Sequence, residues 1–263
     1  MGSPQTEGKL LGPFEKRRLG AFAQSKEALY RLHLTPMGEM IEFPSNGTSG
    51  IGYLATPPTR DGPGVVVIQE YWGLVDHIKD LCDRFAAAGF TALAPDLYHG
   101  KVTSEPDEAG KYMMAMEIQK ASKDMSGAID ELLKRTKRSK VGVVGYCMGG
   151  GLALVLGAAR PDAVAAIVPF YGLIPWPEAA PDYSAISGAI QGHYAQRDDF
   201  APPAASRALE SKLMELGKEV EFFVYPGAHH AFFNDTRPEV YDGEASRQAW
   251  DRLVPFFHEH LGP

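Results

Sequence analysis

Residues 140–151 read Lys-Val-Gly-Val-Val-Gly-Tyr-Cys-Met-Gly-Gly-Gly, and no other stretch restricts the fold as much. An apolar run of strand character over 140–144 stops at Gly145, and a helix-like segment rich in small residues, Met148–Ala159, starts almost at once. A chain that passes from a buried strand straight into a helix must turn sharply. The residue on the turn, Cys147, is then forced into a strained conformation. Glycines at 145 and 149 remove side chains that would collide across the bend. The sulfur stands clear of the sheet edge at a helix N-terminus, where partial positive charge favours thiolate. The backbone N–H of Met148 is left free to hold an oxyanion. The bland alternative for Cys147 is a structural cysteine in a glycine-rich turn. That alternative fits Cys82 better, because Cys82 sits between Leu81 and Phe85 in a helical apolar stripe, where cysteine behaves as a small hydrophobe.

The rest of the chain after Met37 alternates strand-like and helix-like segments. Residues 39–43 and 50–55 flank Ser45-Asn46-Gly47 and read as an opening hairpin. Val65-Val66-Val67-Ile68, within 64–69, is the continuous apolar run of a strand covered on both faces. Ile78, Leu81, Cys82, Phe85 and Ala86 repeat at helical spacing within 76–88. Further strands are predicted over 91–94, Val164–Phe170, 188–195 and 220–225. Helices are predicted over 106–135 with a break near Ser126-Gly127, over 201–217, and over 246–260. This alternation implies an α/β domain over 37–263 with a mostly parallel sheet and helices on both faces. Residues 1–36 are polar and lack strand patterning. They read as an N-terminal extension, disordered or partly helical around 24–33.

A nucleophile on such a turn needs a base and an acid, and in this architecture the chain order is nucleophile, acid, histidine. His258 and His260 fall among charged residues of the terminal helix, where a solvated face explains them, and His193 falls inside a strand. His229 and His230 follow the last strand and the turn Pro226-Gly227-Ala228, which is where the base belongs. Asp198 and Asp199 follow the preceding strand. Either aspartate would steady an imidazole, and either would also serve as an N-cap for the next helix.

Composition narrows the field from outside. The net charge is −7, and residues 1–36 carry six lysines and arginines against three glutamates, so the acidic excess belongs to the domain. An acidic domain argues against nucleic acid as a partner. No apolar run reaches membrane-spanning length, and no secretory signal follows Met1. Two cysteines without an export signal read as reduced thiols in a cytoplasm. The expected partner is therefore a small molecule, with no metal or cofactor required and a monomer or small homo-oligomer as the assembly.

Taken together the segments resemble the dienelactone hydrolase family of α/β-hydrolases, over roughly Met37 to Leu261. The motifs are Val67-Ile68-Gln69-Glu70-Tyr71-Trp72-Gly73, Ala94-Pro95-Asp96-Leu97-Tyr98, Gly145-Tyr146-Cys147-Met148-Gly149-Gly150, Asp198-Asp199-Phe200, and Tyr225-Pro226-Gly227-Ala228-His229-His230-Ala231-Phe232. The resemblance selects His230 and Asp198 over their neighbours. It also implies that Glu70 lies beside the cysteine and takes its proton when substrate arrives, and that the N–H of Tyr71 is the second oxyanion donor. One departure stands out. Members that act on dienelactone carry arginines where this chain has His99-Gly100-Lys101 and Phe233-Asn234-Asp235. Histidine and lysine do not reproduce the bidentate fork of arginine. A less charged ester or lactone is the expected substrate.

The expected chemistry is attack by the Cys147 thiolate on a carbonyl, followed by hydrolysis of a thioester through water activated by His230. Trp72, Tyr98, Tyr146, Tyr171 and Phe232 are the candidate pocket lining. Two rivals follow from the same residues. The thiolate would also attack thioesters or activated phosphoesters, and the scaffold would also serve a non-catalytic ligand-binding protein.

Overall fold

The computed structural model describes residues 37–262, apart from Asn46, Pro175, Pro177 and Glu178. The helix expected around 24–33 lies outside the described residues. The elements run β1 (Gly38–Ser45), β2 (Thr48–Ala55), β3 (Gly64–Ile68), α1 (Asp76–Ala87), β4 (Thr91–Pro95), α2 (Pro106–Ala115), α3 (Ile118–Thr136), β5 (Val141–Tyr146), α4 (Met148–Ala159), β6 (Val164–Phe170), β7 (Ala189–Arg197), α5 (Pro203–Glu215), β8 (Val220–His229) and α6 (Gly243–Leu261).

One eight-stranded sheet has the order β1-β2-β4-β3-β5-β6-β7-β8. The opening hairpin is antiparallel, and β2 joins β4 antiparallel. From β4 to β8 every pairing is parallel. This is the α/β-hydrolase fold. Its central strands are apolar throughout because both faces are covered. In β3, Val65 and Val67 join the core layer that contains Ile78, Leu81 and Phe85 of α1 and Leu253 and Phe257 of α6. Val66 and Ile68 face the other layer, with Met125, Ile129 and Leu132 of α3 and Leu152 and Leu156 of α4. Side-chain alternation along one strand therefore fills two cores. Cys82 is fully buried in the first layer. Among the described residues no helix is long and apolar enough to cross a membrane.

Three local expectations are corrected. The helical break falls at Met116-Glu117, between α2 and α3, and not near Ser126-Gly127. Gly127 lies inside α3, where a Cβ would sit 2.5 Å from the Pro44 carbonyl oxygen. The glycine there permits close packing of helix on strand rather than a bend. Pro226-Gly227-Ala228 is not a turn after the last strand. It lies within β8, where the β7–β8 pairing shifts register between Ala195 and Arg197 and Gly227 takes φ +77°. This bulge re-aims the strand end that leads to His230. The helix after β7 is flanked by Pro202 rather than capped by Asp199.

Candidate active site

The carboxyl ends of β3, β5, β6, β7 and β8 lie side by side and carry Glu70, Cys147, Tyr171, Asp198 and His230 in the segments that follow or end them. Cys147 has φ 54° and ψ −119°, a combination that an L residue holds only when its surroundings impose it. Its N–H donates to the Phe170 carbonyl at 3.1 Å, and its own carbonyl accepts from Gly150 N–H at 2.9 Å. The bend is as tight as its glycines suggest. A Cβ on Gly145 would overlap the Gly149 carbonyl, and one on Gly149 would sit 2.5 Å from the Ile68 carbonyl oxygen. Met148 is the first residue of α4, so its N–H has no partner within the helix. Tyr71 occupies a turn closed by Gly73 N–H donating to the Glu70 carbonyl at 3.3 Å.

His230 Nδ1 lies 2.8 Å from Asp198 Oδ2. The other Asp198 oxygen accepts from the N–H groups of Phe200 and Ala201, both at 2.8 Å. Asp198 thus binds the histidine and caps the loop that enters α5, which leaves Asp199 exposed and outside both roles. Burial opposes a charge on His230. The hydrogen bond to Asp198, the neighbouring Cys147 and the charge of Asp198 outweigh that and raise its pKa to about 10. His229 is exposed and belongs to the end of β8.

Glu70 is 1% exposed. Its Oε2 accepts from Asn234 Nδ2 at 2.8 Å and its Oε1 from the Tyr171 hydroxyl at 3.5 Å. Burial first, then the charges of Glu70, Tyr146 and Cys147, push the Tyr171 hydroxyl pKa upward. The turn after His230 is held from behind as well. Asp235 pairs with Arg84 of α1 and lies 3.4 Å from His77. Burial disfavours the Asp235 charge, but His77 and Arg84 outweigh it and hold its carboxyl below the usual range.

The expected lining residues divide. Tyr98 is 7% exposed, with its hydroxyl 3.4 Å from Met148 Sδ, and Trp72 lies under the Arg237 guanidinium at 5.4 Å. Tyr146, Tyr171 and Phe232 have no exposed surface. Tyr146 packs against Phe170 and Phe233 in the first core layer, with its hydroxyl lacking a partner, so it is core and not lining. Phe232 likewise packs against Tyr171 and Tyr225, while Tyr171 reaches the site only through its hydroxyl. The reverse error occurs at Phe200. It is 79% exposed with its ring 4.9 Å from that of His230, yet sequence reading used it only as part of a motif. Arg237 and Asn234 were also missed as site neighbours. The positions where arginines were sought serve other ends, since His99 pairs with Asp124 and Asp235 with Arg84. Among the described residues no group of three or more histidine, cysteine or acidic side chains is placed to hold a metal.

The arrangement is similar to that of known proteins across the whole domain. The family model described as "Dienelactone hydrolase family" matches residues 51–261. "Protein usf" of Aquifex pyrophilus is 41% identical over 234 residues, covering 86% of this chain and 100% of that protein. The "Putative carboxymethylenebutenolidase" of Aquifex aeolicus is 35% identical over 233 residues, with the same two coverages of 86% and 100%. The crystal structure of a "Putative Dienelactone Hydrolase" from Klebsiella pneumoniae superposes with a TM-score of 0.77 at 26% identity, covering 84% of this chain and 98% of that one. The chain belongs to the dienelactone hydrolase family, whose members are carboxylic ester hydrolases.

Proposed function

We propose that this hydrolase cleaves a small, weakly charged ester or lactone through a Cys147–His230–Asp198 triad and a thioester acyl-enzyme. One observation carries the reading: an imidazole bound at 2.8 Å to a buried carboxylate shares the carboxyl edge of the sheet with a cysteine on a strained elbow whose charge bears on that ring.

The Cys147 thiolate attacks the substrate carbonyl carbon and forms a C–S bond. The resulting oxyanion is met by the N–H groups of Met148 and Tyr71. The C–O bond then breaks, and the departing alkoxide takes a proton from the His230 imidazolium, which Asp198 stabilises. Water next attacks the thioester, gives a proton to His230, and the C–S bond breaks to release the acid and restore the thiolate. Glu70 supplies a further acceptor for the thiol proton when substrate arrives. The preference for weakly charged substrates rests on Arg237 being paired with Glu239 at 2.9 Å, and on His99 and Asp235 being engaged elsewhere.

Cys147→Ala tests the mechanism. Ester hydrolysis should fall by about 10³-fold or more. The wild-type enzyme, quenched during turnover, should yield a peptide containing Cys147 that carries the acyl mass. Wild-type turnover in the alanine variant sinks the triad. A panel of matched neutral, carboxylate-bearing, thioester and phosphoester substrates tests the class, with the neutral ester expected to have the highest kcat/KM.

A further inference from the structure

At the end of the sheet opposite Cys147, the first residues of β7 and β8 and the last turns of α6 enclose a groove of about 350 Å³. Gln191, near the start of β7, is separated from Arg197 at the catalytic end by about 20 Å of extended strand. Ile190, Val220 and Phe256 supply the groove's apolar surface.

A chain of buried hydrogen bonds begins and ends at this groove. Arg252 Nη1 donates to the Tyr225 oxygen at 3.1 Å, that oxygen lies 2.8 Å from His193 Nδ1, and His193 Nε2 lies 3.2 Å from Gln191 Oε1. Each link fixes the next. The Tyr225 oxygen accepts from a permanent cation, so its hydroxyl donates to Nδ1. Nε2 then carries the ring proton and holds the Gln191 amide by its oxygen. The NH₂ is left as the free end of the chain. Gln191 is 7% exposed and lines the groove, and its Nε2 has no hydrogen-bond partner among the described residues. At the other end Arg252 also lines the groove, with its guanidinium set over the Phe223 ring at 4.4 Å. His260 lies 3.6 Å from Glu219 in the same groove. Glu221 and Glu259 are exposed and, like Arg252, pair with no opposite charge among the described residues.

These groups restrict what fits. A carboxylate bridging the Gln191 NH₂ and the Arg252 guanidinium closes the chain into a ring of charge-assisted bonds. A carboxylate alone also meets Glu221 and Glu259 as like charges, and an amine alone leaves Gln191 and Arg252 without an acceptor. We propose that this groove is a second binding site, remote from Cys147, for a small zwitterion that carries a carboxylate and an ammonium on an apolar frame, as a free amino acid does. The carboxylate accepts from Gln191 and Arg252, the ammonium faces Glu221 and Glu259, and the apolar side chain lies against Phe256 and Val220.

Calorimetric titration of the full-length enzyme with L-phenylalanine tests the proposal. Two matched probes accompany it: phenylpropanoate, which lacks the amine, and phenethylamine, which lacks the carboxylate. Each should bind about ten-fold or more weakly than the amino acid. Gln191→Glu keeps an oxygen for His193 and replaces the donor with a second acceptor, so it should weaken L-phenylalanine by about ten-fold or more. Glu221→Gln changes an exposed side chain and leaves the buried chain untouched. It should weaken the amino acid and tighten phenylpropanoate, whose carboxylate loses a like-charged neighbour; a purely structural role for the chain moves neither. Alkylation of Cys147 by iodoacetamide should leave every titration unchanged. The readout is binding and not turnover, so the result is independent of the proposed triad. Absence of saturable heat up to about 10 mM overturns the proposal. So does equal affinity for either matched probe, an affinity that neither variant changes, or binding that is lost on alkylation.

Discussion

Two imidazoles, one in the middle of β7 and one just beyond β8, meet opposite fates. His193 in β7 is fully buried, with Nδ1 2.8 Å from the Tyr225 hydroxyl and Nε2 3.2 Å from Gln191 Oε1. The Tyr225 oxygen accepts from Arg252 Nη1 at 3.1 Å, so the network assigns the Tyr225 proton to His193 Nδ1 and the ring proton to Nε2. Burial, and then the charge of Arg252, push the His193 pKa down to about 3. His230 just beyond β8 has the same 2.8 Å spacing to an oxygen, but that oxygen belongs to a carboxylate, and its pKa rises to about 10. Hydrogen-bond length does not decide whether a buried imidazole keeps its proton. The charge behind the partner atom does. One ring is thereby fixed as neutral structure and the other is poised to carry a proton.

Asp198→Asn breaks this contrast at its centre. The amide retains the size of the side chain and removes the charge. On the proposed mechanism the cost in kcat should be about 10³–10⁴-fold, as for loss of the orienting carboxylate in known catalytic triads. The His230 titration, followed by NMR of the ring, should fall well below its parent midpoint. Cys147→Ala should lower it too, because Cys147 is the other group that raises it. A midpoint that stays near 10 in the Asp198→Asn variant removes the carboxylate from the explanation.

The two rings also make opposite predictions for stability against pH. The His193 pKa is lower in the folded state than its ordinary value of 6.5, so the unfolded chain binds the extra proton. Its contribution is fully present above about 6.5 and is lost as pH falls toward about 3, on the order of 5 kcal/mol across that window. The His230 pKa is raised, so its contribution is present below about 6.5 and is lost as pH climbs through about 10. Urea unfolding as a function of pH should therefore show His193→Gln flattening the acid limb and His230→Gln flattening the alkaline limb. A variant that flattens the wrong limb reverses the assignment.

The sequence made one of these rings legible and left the other half-read. Cys147, Asp198 and His230 sit at strand ends in local patterns that a few adjacent residues define, so they could be singled out from short motifs and chain order. His193 was readable as packed because it lies inside a strand, but its partners Tyr225 and Arg252 are 32 and 59 positions away in number and carry no shared pattern. The Asn234–Glu70 bond spans 164 residues and was invisible for the same reason. The mostly parallel sheet was legible from alternating segments, but its strand order was not. The helical break was misplaced because Gly127 resembles a hinge until Pro44 is found packed against it. Tyr146 was misread because, although it adjoins Cys147 in sequence, it is the last residue of β5 and its ring is packed into the core.

The smallest expected effect sharpens the comparison most finely. Tyr225→Phe removes the hydroxyl that stands between His193 and Arg252 and keeps the ring that packs on Phe232. His193 Nδ1 loses its donor, and the loss should cost about 1–3 kcal/mol in unfolding free energy. The His193 pKa should remain far below its ordinary value, because burial is the first cause of its depression and the phenyl ring does not relieve it. Ester hydrolysis should stay within about two-fold of the parent, since this hydroxyl bonds His193 and Arg252 and none of Cys147, Asp198 and His230. A large loss of activity with unchanged stability would mean that the buried chain from Gln191 through His193 to Arg252 is wired to His230 after all. The neutral ring would then be part of the machinery and not its scaffold.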